Sequence, residues 1–233
     1  MTQALSIDSL RFNWPGQQAP LLRIEALTLT QGDSLFVQGA SGSGKSTLLN
    51  LMAGVLVPQA GEIRLLDQPI SRQRGKARDR FRADHIGYIF QQFNLLPYLS
   101  VQGNVMLPAR LSRLRRQRAL DQHQTLESAA AHWLSRLNIP ESLWSRPVSA
   151  LSVGQQQRVA SARALIGSPE LVIADEPTSA LDQDNVDNFM KVLTEQCRSI
   201  GSSLVFVSHD RHLAAWFDQH LTLDAARNAE VAS

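Results

Sequence analysis

The chain has 233 residues, 43% of them hydrophobic, with a formal charge of +2 and one cysteine. That size and apolar content suit one large packed domain or a core with a subdomain, and the small charge does not by itself imply nucleic acid. A lone Cys197 excludes an intramolecular disulfide, Met1–Leu5 lacks the basic and apolar regions of a signal peptide, and no apolar run approaches the roughly eighteen residues of a membrane span. The expectation is a cytoplasmic chain whose membrane role, if it has one, comes through a partner.

Leu5–Phe12 and Leu21–Leu29 alternate apolar and polar residues around Pro15-Gly16, which predicts two antiparallel strands. Trp14 ends the first strand. An aromatic there can stack on a purine, a contact of about 1–3 kcal/mol; Phe12 competes for that role. The apolar run Ser34–Val37 predicts a strand, and a helix-like run follows at Leu48–Ala53.

Between them lies Gly39-Ala40-Ser41-Gly42-Ser43-Gly44-Lys45-Ser46-Thr47, which reads G-x-x-x-x-G-K-[ST] in the strand-loop-helix context of a phosphate-binding loop. Its glycines let backbone N–H groups curl around an anion, and the helix behind adds the positive end of its dipole. Lys45 would reach the β- and γ-phosphates, and the Ser46 hydroxyl would sit on Mg²⁺. By itself the loop says only that a nucleoside triphosphate binds.

Glu62–Leu66 predicts a strand that turns at Asp67-Gln68-Pro69. Arg72, Arg74, Lys76, Arg78, Arg80 and Arg82 then read as the solvated face of a helix. Ile86–Phe90 is strand-like and delivers Gln91 to a loop through Pro97. From Val101 to Leu137 the spacing is helical, with Val105, Leu111, Leu114, Leu126, Ala130, Trp133, Leu134 and Leu137 apolar. Ser100 is placed to cap the first helix. Arg110, Arg113, Arg115, Arg116 and Arg118 read as a second solvated face.

A further helix runs from Leu151-Ser152-Val153-Gly154-Gln155 through Leu165 and stops at Gly167-Ser168-Pro169. Leu171–Ala174 suits a strand buried on both faces, with Asp175 and Glu176 at its C-terminal end, where an open α/β sheet places its chemistry. Asp175 fits a magnesium ligand opposite Ser46, and Glu176 a general base for the attacking water. A helix around Val186–Cys197, in which Cys197 falls on the apolar face, then Leu204–Val207, His209 and a short strand near Leu221–Leu223 complete an alternating order. The fold class is α/β.

Together these motifs resemble the nucleotide-binding subunits of ABC transporters. Leu151–Gln155 looks like the ABC signature, Gln91 the Q-loop, Ser179-Ala180-Leu181-Asp182 the D-loop, Ser208-His209-Asp210 the H-loop and Trp14 the aromatic A-loop. The resemblance implies a P-loop NTPase, RecA-like core with an N-terminal antiparallel β subdomain and an inserted α-helical subdomain, residues 92–167 between 1–91 and 168–233. It implies ATP as substrate, Mg²⁺ held by Ser46, Gln91 and Asp175, and catalysis by Glu176 with His209, Gln91 and Lys45. It also implies a head-to-tail dimer of two copies, in which Ser152, Gly154, Gln155 and Asp182 reach the ATP of the other copy, on the inner face of the membrane against permease subunits.

Phe90–Pro97 and Asn104–Pro108 look most like the MacB/LolD type, whose permeases work with a periplasmic partner. Polar amino-acid importer ATPases share much of the Q-loop wording. A soluble ABC protein acting on DNA or ribosomes would carry a coiled-coil insertion or two fused cassettes, and a P-loop small-molecule kinase would leave Leu151–Gln155 and His209 unexplained; no nucleic-acid partner is expected. The sequence departs from the family pattern at Val153, where glycine is common, so the turn there must adopt an ordinary backbone conformation. It also departs at Asp224–Arg227, where relatives usually turn on glycine.

Overall fold

The computed structural model describes residues 2–16, 21–179, 181, 183–223 and 229–232, with residues 183, 184 and 229–232 described by backbone alone. In chain order the elements are β1 (Gln3–Phe12), β2 (Leu22–Thr30), β3 (Ser34–Gly39), α1 (Lys45–Met52), β4 (Ala60–Leu65), β5 (Gln68–Pro69), α2 (Gly75–His85), β6 (Ile86–Ile89), α3 (Val101–Leu111), α4 (Arg113–Gln122), α5 (Leu126–Arg136), α6 (Val153–Leu165), β7 (Leu171–Asp175), α7 (Gln183–Ser199), β8 (Ser203–Val207), β9 (Gln219–Leu223) and β10 (Ala229–Ala232). They fall into two compact units, one from the described residues of 1–82 and 203–233, the other from those of 83–202.

The first unit holds an antiparallel sheet in the order β2-β1-β4-β5. Its alternation is not one unbroken period. Leu5 and Ile7 are buried, then Leu10 and Phe12, and in β2 likewise Leu22 and Ile24, then Leu27 and Leu29. The parity changes at Ser9, whose φ is +50°, where the register of β1 against β4 also shifts. Opposite this point stands Gly61 at φ +86°; a Cβ there would lie 2.5 Å from the Asp8 carbonyl oxygen. The expected turn after β4 is tighter than the sequence suggests, because Leu66 and Asp67, at φ +49° and +61°, make it alone. Gln68 and Pro69 already pair with Leu65 and Arg64.

In the same unit β3 pairs in parallel with β8 on one side and β9 on the other. Leu35, Phe36 and Val37 and the whole of Leu204–Val207 are buried, as strands covered on both faces must be. The antiparallel pairing of β10 with β9 is an element the sequence did not announce. The departure at Asp224–Arg227 lies outside the described residues. No residue of α2 is buried, as a solvated basic helix requires.

In the second unit β6 and β7 pair in parallel, Ile89 opposite Ala174. The predicted helical stretch resolves into α3, α4 and α5, the first capped as expected by Ser100, whose Oγ accepts from the Gly103 amide at 3.0 Å. Leu111, expected in the core, is 74% exposed, while the stripe Val101, Val105, Ala109, Ser112, Arg115 and Ala119 is buried. Cys197 is buried too, which pushes its thiol up to about 12 and makes it a small core hydrophobe. No helix among the described residues is long and apolar enough to cross a membrane.

Candidate functional site

The first unit contributes the phosphate cradle. Gly39 closes β3, and Gly42 and Gly44 take φ +79° and +98°, conformations that only glycine adopts cheaply. A Cβ on Gly39 would stand 2.5 Å from both the Leu223 carbonyl oxygen and Ser43 Oγ, so the loop has no room for a side chain there. No side chain caps α1, whose N-cap is Gly44, so its first-turn amides and dipole are available to an anion.

Lys45 is buried and folds back along the loop, its Nζ donating to the carbonyls of Gly39 at 2.9 Å and Ala40 at 3.2 Å. Ser43 Oγ is buried with no hydrogen-bond partner. A phosphate oxygen supplies the acceptor that this hydroxyl lacks, so the cradle fits the group it was read to hold. Ser41 and Ser46 are exposed and Thr47 is half-buried.

Trp14 and Phe12 divide the roles left open above. Phe12 is buried and pairs with Leu22 across β1 and β2, and the Leu22 side chain occupies the space a Cβ on Gly44 would need. Trp14 is 41% exposed and meets Phe12 edge-on, with ring centroids 5.3 Å apart. The core ring thus props the exposed one, which is the candidate for base stacking. His209 follows β8, the parallel neighbour of β3, and is exposed. Locked residues flank it: Ser208 is buried and accepts from the Asp210 amide at 3.1 Å, and Asp210 in turn accepts from the His212 amide at 3.0 Å.

The second unit carries the acidic pair, the Gln91 loop and the signature. Asp175 ends β7, and Glu176 sits at φ +43°, a left-handed conformation that costs a non-glycine residue about 1–2 kcal/mol. The Ser179 amide closes that turn by donating to the Glu176 carbonyl at 3.2 Å. Strain at a carboxylate directly after a magnesium-ligand candidate is the kind of outlier that marks chemistry. Gln91 is exposed just beyond the end of β6, the parallel neighbour of β7, so all three residues stand at C-terminal strand ends. Asp182 and Ala180 of the D-loop lie outside the described residues.

Ser152 is the N-cap of α6 in a reciprocal box: its Oγ accepts from the Gln155 amide at 3.3 Å, and its own amide donates to Gln155 Oε1 at 2.9 Å. Val153 is the first helical residue and has no positive φ, so the departure from glycine there costs the backbone nothing. Gly154 is different. Its φ is ordinary, and a Cβ built on it would meet only Leu181 Cδ2, at 3.6 Å. The fold of this chain does not require glycine at that position.

The second arginine cluster is not a solvated face throughout. Arg115 is 2% exposed and donates to the carbonyls of Ile86, Ala164 and Ile166; burial pushes its guanidinium down to about 9, with Arg118 adding to the effect. It caps the C-terminal end of α6 and ties that end to the first residue of β6. Arg118 pairs with Glu170, which also bonds His85 Nδ1 at 2.9 Å. Burial alone would raise the Glu170 carboxyl, but hydrogen bonds from His85 and Arg118 outweigh it and hold the group at about 2.

Two further residues have roles that the sequence did not assign. Arg163, 8% exposed on α6, donates to the carbonyls of Asn94 at 2.7 Å and Phe93 at 2.6 Å. Asn104, fully buried, donates to Leu96, Leu99 and Ser100 carbonyls and accepts from the Leu96 amide at 2.7 Å. The available signal was positional: both fall on the buried stripes of their helices, where a polar residue needs a partner.

A family model described as ABC transporter matches residues 22–179. The chain belongs to the ABC transporter family. Over 212 residues it is 37% identical to the lipoprotein-releasing system ATP-binding protein LolD of Hahella chejuensis, covering 91% of this chain and 88% of LolD. It is 40% identical over 197 residues to an uncharacterized ABC transporter ATP-binding protein, YbbA of Escherichia coli K12, covering 84% and 83% of the two chains.

To the macrolide export ATP-binding/permease protein MacB of Shigella flexneri it is 36% identical over 217 residues, 92% of this chain, but it spans only 32% of that protein's length. Among solved structures, the ATP-binding cassette MJ0796, a dimer bound to ADP and Pi, superposes with a TM-score of 0.82 at 29% identity over 97% of both chains. The cbiO1 protein of Clostridium perfringens, part of the complex cbiONQ, superposes with a TM-score of 0.84 at 27% identity, covering 99% of this chain and 88% of its own. The chain is therefore an ATP-binding, ATP-hydrolysing cassette of the MacB/LolD type.

Proposed function

We propose that two copies of this chain close head-to-tail on ATP, and that their closure and reopening drive a membrane permease of the MacB/LolD kind. Gly154 is the observation that carries this reading. Neither its φ nor the packing of its own chain calls for glycine, so the missing side chain makes room for something outside the chain. The γ-phosphate held by the other copy's cradle is the natural occupant, since the Ser152 hydroxyl still has a proton to donate and the N-terminus of α6 faces outward with its dipole. That MJ0796 is a dimer with ADP and Pi supports the same arrangement.

In this reading Gly39, Ser41, Gly42, Ser43, Gly44, Lys45, Ser46 and Thr47 hold the triphosphate and Trp14 stacks on the base. Ser46, Gln91 and Asp175 offer hydroxyl, amide and carboxylate oxygens, a donor set suited to Mg²⁺, which when bound neutralises phosphate charge. Glu176 takes the proton of the attacking water, and His209 bonds the γ-phosphate. Ser152, Gly154, Gln155 and Asp182 complete the site of the other copy. Loss of the γ-phosphate removes the charge the two copies share, so the interface opens.

Residues 92–167 form the helical part that faces the permease. The chain nearly spans LolD, named as a separate ATP-binding protein, and a third of MacB, whose name joins ATP-binding and permease parts; this supports a permease partner. The same proposal puts the chain on the inner membrane face, with a periplasmic component beyond the permease.

Glu176→Gln tests the reading. The variant should bind ATP normally, turn over roughly 10²–10⁴-fold more slowly, the usual worth of a general base, and accumulate as an ATP-dependent dimer in sedimentation velocity. Undiminished ATPase activity, or a monomer at saturating ATP, would overturn it. Recovery of the native chain with a membrane permease supports the transport role, and recovery with ribosomes or DNA refutes it.

A further inference from the structure

The loop that follows Gln91 is held in a conformation it would not choose alone. Phe93 and Asn94 are consecutive non-glycine residues at φ +59° and +48°, closed by bonds from the Phe93 amide to the Phe90 carbonyl and from the Asn94 amide to the Gln92 carbonyl. Local hydrogen bonds of this kind do not offset two left-handed residues in a row. The carbonyls of these same two residues are the ones Arg163 grips, one guanidinium nitrogen to each, while Phe93 itself is 8% exposed and plugs the loop inward. Downstream, Asn104 fixes Leu96, Leu99 and Ser100.

Arg163 has no carboxylate partner among the described residues, and burial pushes its guanidinium down to about 10. A cation buried against carbonyls alone is a costly way to hold a turn, and here it holds the turn that contains Gln91. Arg163 also stands on α6, whose first turn is the signature.

We propose that Arg163 is a positioning residue for Gln91: by gripping the Phe93 and Asn94 carbonyls it fixes the Gln91 loop to the signature helix, so the two shift as one piece. The inference rests on the reading of Gln91 as a magnesium- and water-directed residue. A displacement of Gln91 on hydrolysis then reaches Ser152 and Gly154 through the body of α6, and a displacement of α6 resets Gln91.

The test combines hydrogen exchange with a double-mutant cycle. In the nucleotide-free and metal-free protein, Arg163→Met should speed amide exchange in peptides spanning 90–96 while peptides from the β1–β2 hairpin stay unchanged. With ATP, the same variant should lose about tenfold to a hundredfold in turnover, the usual cost of removing a partner behind a metal ligand, and need more Mg²⁺ for half-maximal rate. Arg163→Lys, which keeps one donor, should recover part of both effects.

If Arg163 works through Gln91, then Gln91→Ala and Gln91→Ala/Arg163→Met turn over at the same rate. Unchanged exchange at 90–96, or a full additional loss in the double variant, overturns the proposal. Should Arg163→Met fail to fold, the exchange of Arg163→Lys decides it. A wild-type chain that hydrolyses no ATP refutes the role given to Gln91, and the exchange data then decide the clamp alone.

Discussion

Glu170 stands one residue before β7, the strand that delivers Asp175, and joins it to the end of α2 through His85 and to α4 through Arg118 at 2.5 Å. Its side chain is 17% exposed, so the pair is only partly screened by water. The carboxyl is held at about 2 instead of its ordinary 4.5. At about 1.4 kcal/mol per pH unit the full shift corresponds to about 3.5 kcal/mol, which partial screening by water reduces to roughly 2–3 kcal/mol of native-state stabilisation.

The sign follows from the direction of the shift. A carboxylate held below its unfolded value contributes fully above pH 4.5, and the contribution fades as the pH falls toward 2. Glu170→Gln should therefore lower the unfolding free energy by about 2–3 kcal/mol at pH 7. The gap to wild type should close progressively between pH 4.5 and 2. Urea unfolding of both proteins along a pH series measures it. A gap that is absent at pH 7, or that stays constant down to pH 3, would refute the electrostatic account.

Other outcomes follow from the same geometry. Gly154→Ala should keep or raise the melting temperature, because alanine is favoured over glycine in a helix by about 0.5–1 kcal/mol, yet abolish ATP-driven dimerisation in sedimentation. Normal dimerisation would remove the reason given for that glycine. Arg115→Met strands three buried carbonyls, and at about 1–3 kcal/mol each it should cost 3 kcal/mol or more by thermal or urea unfolding. A loss below about 1 kcal/mol would show that the carbonyls find other donors. Trp14→Ala should weaken ATP binding by about 1–3 kcal/mol, and Trp14→Phe should restore most of it, as read by calorimetry; equal affinity in all three would exclude stacking.

The sequence carried the motif chemistry because that chemistry depends on short spacings. Gly39–Thr47 needs only a strand before it and a helix after it, and Ser152 and Gln155 form their capping box within one turn. The strand Leu171–Ala174 is legible because a central strand is apolar without interruption. Less was legible where burial contradicts residue type. Arg115, Arg163 and Asn104 look like surface residues by composition, and Leu111 looks like core.

Phase slips were hidden as well. Apolar residues at 5, 7, 10 and 12 read as one alternating strand, and the left-handed Ser9 with its register shift against β4 is where that alternation slips. The sequence by itself thus determined the family and most of the order of elements, and it named the residues proposed to meet ATP, since each rests on contacts a few residues long.

Only the tertiary structure decided what holds those residues in place. The buried guanidiniums, the fully buried Asn104 and the Glu170 pairing join groups that lie up to 85 residues apart. Their partners are mostly backbone carbonyls, which every residue possesses and no residue type announces.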